Sequence, residues 1–174
     1  MRTIRRGGEY LRIADPGWAD YLDGRYARER GGRWNPRRSF PVVYLNRSVA
    51  VARANLYRKL ANQPYGPEDL DPEHAPLLVT TQVRPARYAD VITNRGCESA
   101  GLPTTYPRDS RGREVGWMAW QAVGQAAWDA ALAGVACRTA ARTAPPGGEE
   151  LAWFQRGGRR LRATRTLTFE EWFW

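Results

Sequence analysis

The sequence is poor in the residues on which most metal sites and nucleophilic active sites depend. It contains one histidine, His74, and two cysteines, Cys97 and Cys137, which form no CxxC pair and no ligand cluster. A metal site is therefore not expected, because zinc is normally held by several closely spaced Cys and His ligands. Catalysis by a Cys/His or Ser/His pair is also disfavoured, since His74 is the only available imidazole and lies in a proline-rich stretch.

Long hydrophobic runs are missing as well. No stretch approaches the roughly 18 apolar residues of a membrane-spanning helix, and the basic N-terminus is not followed by the apolar run of a signal peptide. We therefore expect a cytoplasmic protein with no membrane segment. With 174 residues, of which 43% are hydrophobic and 26% charged, the chain is long enough for one domain with a real core.

Lysine is almost absent. Lys59 is the only lysine among 27 basic residues, and the formal net charge is +9. Such a charge favours partners that carry phosphate. No block of five consecutive basic residues occurs, however, and the arginines are scattered among acidic and aromatic residues. Charge alone therefore leaves open both nucleic acid and the phosphates of a small molecule.

The most informative stretch runs from Gly31 to Pro36, with the sequence Gly-Gly-Arg-Trp-Asn-Pro. The two glycines permit a sharp turn, and Arg33 directly after them presents a planar guanidinium suited to phosphate. Trp34 is a rigid aromatic neighbour, and Asn-Pro stops any helix. A short apolar run from Pro41 then predicts a strand ending at Tyr44. The plainer interpretation is a glycine turn with a solvated arginine and a core tryptophan.

Hydrophobic periodicity predicts a chain of mixed strands and helices. Further strands are expected at residues 9–14, 77–83, 91–93, 135–137, 151–154 and 161–167. Helices are expected at 49–60, with Ser48 as N-cap, and at 114–133, which should be largely buried and should stop at Gly134. Residues 97–113 are predicted to be mostly loop.

Two side chains on these elements are candidates for a site. In the first strand, Arg12 lies on the face opposite Leu11 and Ile13. It is either an exposed residue of the sheet or a charge that points into a polar pocket. In the 49–60 helix, Asn55 lies on the flank of the apolar stripe and can reach the edge of a cleft.

The last six residues form an aromatic tail. Four of them are large and apolar: Phe169, Trp172, Phe173 and Trp174. Soluble monomers rarely expose such a patch, so we expect the tail to pack within the chain or across a homodimer.

The fold class predicted from these elements is mixed α/β (α+β), a single compact domain with a mostly antiparallel, split sheet flanked by helices. A Rossmann fold is disfavoured because no GxGxxG follows a strand. The domain is expected to span residues 1–174, with a core at about 9–154 and a C-terminal strand and tail at 155–174.

Seven segments, in this order along the chain, resemble the RES domain, a family named for an Arg, a Glu and a Ser. The segments cover residues 10–13, 31–36, 42–45, 48–60, 121–124, 134–140 and 150–154. The resemblance implies a fold similar to ADP-ribosyltransferases and a bacterial, cytoplasmic toxin that consumes NAD or transfers ADP-ribose. It also implies an antitoxin partner of the Xre-like helix-turn-helix type, and NAD as substrate without a metal.

The resemblance also assigns roles to individual residues. Arg12 and Arg33 match the arginines that line the dinucleotide pocket, with Trp34 beside them, and Tyr44 matches an aromatic residue near the reacting end. The implied catalytic positions are Tyr44, Asn55 and Thr139. Two of these depart from the family pattern, because Asn55 stands where the family has its helix Glu and Thr139 where it has Ser.

The Asn55 departure matters because cleavage of the nicotinamide–ribose bond passes through an oxocarbenium-like state. A carboxylate beside the ribose stabilises that charge, and losing such a group typically costs about 10²- to 10³-fold in rate. Replacing Asn55 by Glu would then be expected to accelerate the reaction, unless another carboxylate enters the cleft. The candidates for that carboxylate are Asp109, Glu114 and Glu149.

Three functions remain open on the sequence. The first is an NAD-consuming enzyme, acting by phosphorolysis, hydrolysis or ADP-ribosyl transfer, so that the acceptor is phosphate, water or a macromolecule. The second is a RES-like nucleotide-binding protein with little turnover. The third is an arginine-rich nucleic-acid-binding protein.

Overall fold

A computed structural model describes all 174 residues, and its frame is one six-stranded sheet with helices packed against it. In chain order the elements are β1 (Thr3–Ala14), α1 (Arg25–Arg30), β2 (Val42–Asn46), α2 (Val49–Leu60), β3 (Leu77–Val91), α3 (Asn94–Ser99), α4 (Trp117–Asp129), β4 (Gly134–Arg138), β5 (Glu149–Phe154), β6 (Ala163–Leu167) and α5 (Phe169–Phe173). None of the helices has the length and apolar character needed to cross a membrane.

The sheet has the strand order β1-β2-β5-β4-β3-β6, and β3 also pairs with β1. Strand β3 therefore has β1 along one edge, while its other edge is shared by β6 at its start and β4 at its end. Only the β3–β4 pair is parallel. The predicted fold class, a mixed α/β domain with a mostly antiparallel sheet flanked by helices, is confirmed.

The long pairing of β1 with β3 differs from the prediction, which started β1 at residue 9 and ended β3 at residue 83. In the sequence, Pro85 indicates the end of a strand, because proline has no backbone N–H to donate to the neighbouring strand. The structure accommodates it opposite a bulge, where the register shifts between Arg6 and Gly8 and Gly8 has φ +97°. A Cβ on Gly7 would lie 2.7 Å from the Pro85 Cα, so the bulge depends on glycine. Of the predicted strand at 91–93, only Val91 is in a strand, as the last residue of β3.

Helix α4 is shorter and more exposed than predicted. It buries one narrow stripe with helical spacing, formed by Trp120, Val123, Gly124 and Ala127. The neighbouring apolar face is in solvent, with Met118 86% exposed and Trp117 55% exposed. The helix ends at Asp129, and Gly134 begins β4 instead of stopping the helix. The region predicted as loop, 97–113, begins with the last three residues of helix α3.

The aromatic tail packs inside the chain as helix α5. Phe169, Trp172 and Phe173 are buried in a cluster with Leu11 of β1 and Leu56 of α2. The Trp172 indole N–H donates to the carbonyl of Pro76 at 2.9 Å, and Arg53 donates to the Trp172 carbonyl at 2.8 Å. The expectation that the tail is packed is confirmed, and a homodimer is not required to cover it.

Candidate active site

The Gly31–Pro36 segment is a rigid loop above the start of β2. Gly31 has φ +76°, a conformation that side-chain-bearing residues resist. Gly32 has no room for a side chain, because a Cβ there would lie 2.4 Å from the Tyr44 hydroxyl oxygen. That hydroxyl accepts a hydrogen bond from the Trp34 backbone N–H at 3.0 Å and donates to the Asn35 side-chain oxygen at 2.8 Å. The loop is thus tied to β2 through Tyr44.

Helix α4 holds the loop from the other side. A Cβ on Gly124 would lie 1.7 Å from the Trp34 carbonyl oxygen, so the helix can approach this closely only with glycine there. Gln121 of α4 donates to the Gly32 carbonyl at 3.0 Å. Between these contacts, the Arg33 side chain is directed into the space between α2, α4 and the sheet.

That space is a cavity of about 310 Å³. Its polar wall consists of Arg33, Tyr44, Asn46, Asn55, Arg58, Lys59 and Glu150. Its apolar wall consists of Ile13, Leu45, Trp117 and Trp120. The indole N–H of Trp120 is buried and has no hydrogen-bond partner within the protein. A concave site with apolar walls and a few convergent polar groups is typical of small-molecule binding.

Arg33 is the central charge of the cavity wall. Its side chain is 10% exposed, and its Nη1 atom donates to Glu150 Oε2 at 3.0 Å. The guanidinium carbon lies 5.2 Å from the centre of the Trp120 ring. Burial by itself lowers the pKa of the guanidinium, but the charge of Glu150 and smaller contributions from Tyr106, Cys137 and Tyr44 together outweigh burial, and the net pKa shift is upward. Arg33 therefore stays charged, and only one of its five N–H donors is used by Glu150.

Asn55 faces Arg33 from helix α2. This helix spans the predicted residues, and Ser48 caps it by accepting from the Val51 N–H at 3.3 Å. The Asn55 side-chain nitrogen donates to Glu150 Oε1 at 2.9 Å and to the Asn46 side-chain oxygen at 2.8 Å. The amide of Asn55 is thus a donor to a carboxylate within the cavity wall.

Glu150 is the site residue that sequence reasoning missed. Glu149 and Glu150 are adjacent at the start of β5, and period-two alternation requires one of them to face each side of the sheet. Which one faces the cavity depends on strand pairing, and Glu150 pairs with Asn46 of β2 and Cys137 of β4. The two adjacent glutamates are visible in the sequence, but only the register of β5 decides which of them faces the cavity.

The three carboxylates considered from the sequence do not line the cavity. Glu149 is on the opposite face, where it accepts from Arg6 at 2.9 Å and from the Tyr10 hydroxyl at 2.8 Å. Asp109 bonds to Arg113 within its own loop. Glu114 is not in the cavity wall, although it pairs with Arg58, which is.

Arg12 lies on the other side of the sheet from Arg33. Leu11 pairs with Asn46 and shares its face, so Arg12 points the opposite way. Its Nη1 donates to the Asp23 carbonyl at 3.1 Å, and its guanidinium lies 5.0 Å from the Trp18 ring. Burial lowers the pKa of Arg12 to about 10. Arg12 therefore does not line the cavity that contains Arg33, and its role in dinucleotide binding stays a prediction.

Trp34 and Thr139 also lie outside the cavity wall. Trp34 is fully buried in the core, in aromatic contact with Tyr106 and Trp120, because α4 covers it. The Thr139 hydroxyl oxygen accepts from the Ala141 backbone N–H at 3.2 Å, within the turn after β4. Of the predicted site residues, the structure brings together Arg33, Tyr44 and Asn55.

The chain matches one protein family model over most of its length. The family model described as RES domain matches residues 8–171. Proteins named NAD(+) phosphorylase MbcT, from Mycobacterium bovis and Mycobacterium tuberculosis, are 34% identical over 116 residues. The alignment covers 67% of this chain and 59% of each relative, so the chain matches less than two thirds of their length.

A solved structure is similar over nearly the whole chain. It is the crystal structure of the M. tuberculosis MbcT–MbcA toxin–antitoxin complex, with a TM-score of 0.78 and 28% sequence identity. The match covers 98% of this chain and 91% of that chain.

Proposed function

Because the chain belongs to the RES domain family, we propose that it is an enzyme that consumes NAD by breaking the nicotinamide–ribose bond in the Arg33 cavity. The observation that carries this proposal is Arg33 itself, a charged guanidinium with unused donors, held in a cavity wall by a rigid loop. Guanidinium groups bind phosphate through paired, charge-assisted hydrogen bonds. A diphosphate is the part of NAD that such a group recognises.

The dimensions of the site agree with a dinucleotide bound in two parts. The 310 Å³ cavity, with the aromatic side chains of Trp117 and Trp120 in its wall, suits the nicotinamide and its ribose. A neighbouring groove of about 950 Å³ shares Arg58 with the cavity and is also lined by Arg108, Arg113 and Arg142. This groove offers room and positive charge for the remainder of the molecule.

We propose inorganic phosphate as the acceptor of ADP-ribose. The support is the name of the relatives, NAD(+) phosphorylase. In this reaction the C1′–N bond breaks and its electron pair leaves with the nicotinamide nitrogen. A phosphate oxygen then forms the new bond to C1′, and the proton that phosphate carried is released as the product ionises. The products are nicotinamide and ADP-ribose 1″-phosphate.

We further propose that the protein is the toxin of a toxin–antitoxin pair. The similar solved structure is a complex of a toxin with its antitoxin. The expected Xre-like helix-turn-helix type of the antitoxin stays a prediction, as do the cytoplasmic location and the division into a core at 9–154 and a C-terminal segment at 155–174.

The test is to incubate the purified protein with NAD, with and without inorganic phosphate, and to measure free nicotinamide and the adenine-containing product. Phosphate-dependent release of nicotinamide with ADP-ribose 1″-phosphate is the expected result. Phosphate-independent release of ADP-ribose would replace phosphorolysis by hydrolysis. Binding of NAD without release would favour the nucleotide-binding alternative, and absence of both would overturn the NAD assignment.

A further inference from the structure

The wall of the cavity contains a carboxylate, Glu150, to which the resemblance assigns no role. The resemblance places a glutamate on the helix at position 55, where this chain has Asn55, and Glu150 on strand β5 is within hydrogen-bond distance of that asparagine. We propose that Glu150 stabilises the positive charge on the ribose during bond cleavage, so that the carboxylate has moved from the helix to the strand. This inference rests on the NAD-consuming function proposed above.

The reaction needs a carboxylate only while the nicotinamide–ribose bond is breaking. In NAD the positive charge is on the nicotinamide ring, and when the C1′–N bond breaks, nicotinamide leaves neutral with the electron pair. The charge passes to the ribose, where it is shared between C1′ and the ring oxygen. A fixed carboxylate beside the ribose is stabilising only while that charge exists, which is how a group lowers the barrier.

Glu150 lies where a ribose in the cavity would be. Its partners across the sheet, Asn46 and Cys137, place its side chain on the cavity face. The Glu150 side chain is 11% exposed, and that exposed part belongs to the cavity wall. The carboxylate is thus accessible to a ligand but largely shielded from bulk water, and charges interact more strongly under those conditions.

Both oxygens of Glu150 are held by neighbouring side chains. Oε2 accepts from Arg33 at 3.0 Å, and Oε1 accepts from Asn55 at 2.9 Å. Asn55 is itself oriented by its second bond, to Asn46, which in turn donates to the Leu11 carbonyl at 3.3 Å. Each carboxylate oxygen can accept two hydrogen bonds, so one acceptor position on each oxygen remains for a ribose hydroxyl. The group is oriented before the substrate arrives.

The identities of residues 55 and 150 are therefore coupled. A glutamate at position 55 would bring a second carboxylate to the place where the Asn55 amide now donates to Glu150. Two carboxylates at that distance repel, and one of them tends to take up a proton. Asn55 supplies the donor that a carboxylate at position 150 needs. This changes the expectation for Asn55→Glu, which should not accelerate an enzyme that already has Glu150.

A purely structural role for Glu150 makes a different prediction. If Glu150 only anchors Arg33, its neutralisation should loosen Arg33 and weaken binding of ADP-ribose, which lacks the nicotinamide. If Glu150 stabilises the developing charge, binding of ADP-ribose should persist while turnover is lost. The two roles are separated by measuring kcat and affinity on the same protein.

The decisive variant is Glu150→Gln, which removes the charge and keeps the size. The Gln side chain keeps an oxygen that can accept from Arg33. We expect nicotinamide release to fall about 10²- to 10³-fold in kcat, with the ADP-ribose dissociation constant from calorimetry changed less than about threefold. Glu149→Gln is the matched control, since it is the adjacent carboxylate on the opposite face, and its kcat should stay within about twofold.

A double variant tests whether the carboxylate can be moved from position 150 back to position 55. Asn55→Glu combined with Glu150→Gln returns the single carboxylate to the helix, and it should recover at least about tenfold of the activity lost in Glu150→Gln. The double variant keeps one carboxylate near Arg33. It can therefore still be tested if circular dichroism shows that Glu150→Gln is unfolded. The single Asn55→Glu variant should be no faster than wild type.

Several outcomes would overturn the inference. A kcat for folded Glu150→Gln within about threefold of wild type would remove Glu150 from the chemistry, and a parallel loss of ADP-ribose affinity would assign it to anchoring Arg33. An equal loss in Glu149→Gln, or no recovery in the double variant, would contradict the exchange. If wild type releases no nicotinamide at all, the proposed function fails, and this inference fails with it.

Discussion

Arg33 owes its position to contacts made by the residues around it. The Tyr44 hydroxyl holds the backbone of Trp34, and Gln121 holds the carbonyl of Gly32. The only hydrogen bond of the Arg33 side chain itself is to Glu150. Removing the guanidinium should therefore remove a binding group without releasing the loop that carries it.

Arg33→Ala is predicted to weaken binding of ADP-ribose by about 1.5–3 kcal/mol, the usual contribution of a charge-assisted hydrogen-bonded pair. Isothermal titration calorimetry at fixed salt measures the change. Arg37→Ala is the control, because Arg37 is an exposed arginine of the same region that does not line the cavity. An unchanged affinity in folded Arg33→Ala would exclude Arg33 from the binding site.

Two of the predicted site residues lie outside the cavity for the same reason. Arg12 was matched to the pocket by its place in a sequence segment, but the pairing of β1 with β2 turns it to the other face. Trp34 is adjacent to Arg33 in the chain, yet the approach of α4 at Gly124 buries it in the core. Sequence proximity identifies the right segment, whereas the direction of a side chain depends on which element packs against it.

Helix α5 shows how a short element is stabilised by packing and by a cap. Five residues are too few for an independently stable helix, and its N-terminus is capped by Glu171, which accepts from the Thr168 N–H at 2.7 Å. Phe169, Trp172 and Phe173 cover the outer side of α2 and β1. The helix that carries Asn55 is therefore supported from behind by the tail.

Trp172→Ala is predicted to destabilise the protein by about 3–5 kcal/mol, because it deletes a large side chain that is 1% exposed. Trp174→Ala should change stability by less than about 0.5 kcal/mol, since Trp174 is 70% exposed two residues away. Urea denaturation of the two variants gives the comparison. Equal effects, or no effect of Trp172→Ala, would show that the tail does not contribute to the core.

Several ionisable groups are buried in their neutral form. They make the free energy of unfolding of the whole molecule depend on pH in the alkaline range. Burial, followed by the charge of Glu150, raises the pKa of the Cys137 thiol to about 12. Burial also raises the pKa of the Cys97 thiol and of the Tyr44 and Tyr106 hydroxyls. In the unfolded chain a thiol ionises near pH 8.5, so between that value and the folded pKa the unfolded state loses a proton that the folded state keeps.

Raising the pH above about 8.5 is therefore predicted to favour unfolding, with Cys137 alone accounting for about 1–2 kcal/mol by pH 10. The measurements should not go above pH 10, because Arg12 begins to lose its proton there in the folded state. Denaturation midpoints at pH 8 and pH 10 measure the effect. Cys137→Ala should show a smaller pH dependence, and identical midpoints for wild type at both pH values would contradict the prediction.

The amino-acid sequence by itself determined the elements and the segment that forms the site. Helix α2 with its Ser48 cap, most of the strands and the Gly-Gly-Arg turn follow from periodicity, capping and the conformational freedom of glycine, which are local properties. The packing of the aromatic tail also followed, because so much apolar surface has to be covered.

Only the tertiary structure decided which side chains meet. The choice between Glu149 and Glu150 depends on the register of β5, and a shift of one residue would exchange their faces. The inward direction of Gln121 and the exposure of Met118 depend on which stripe of α4 contacts the sheet. These are properties of contacts between segments distant in sequence, so the carboxylate beside Asn55 became visible only when β2, β5 and α2 were placed together.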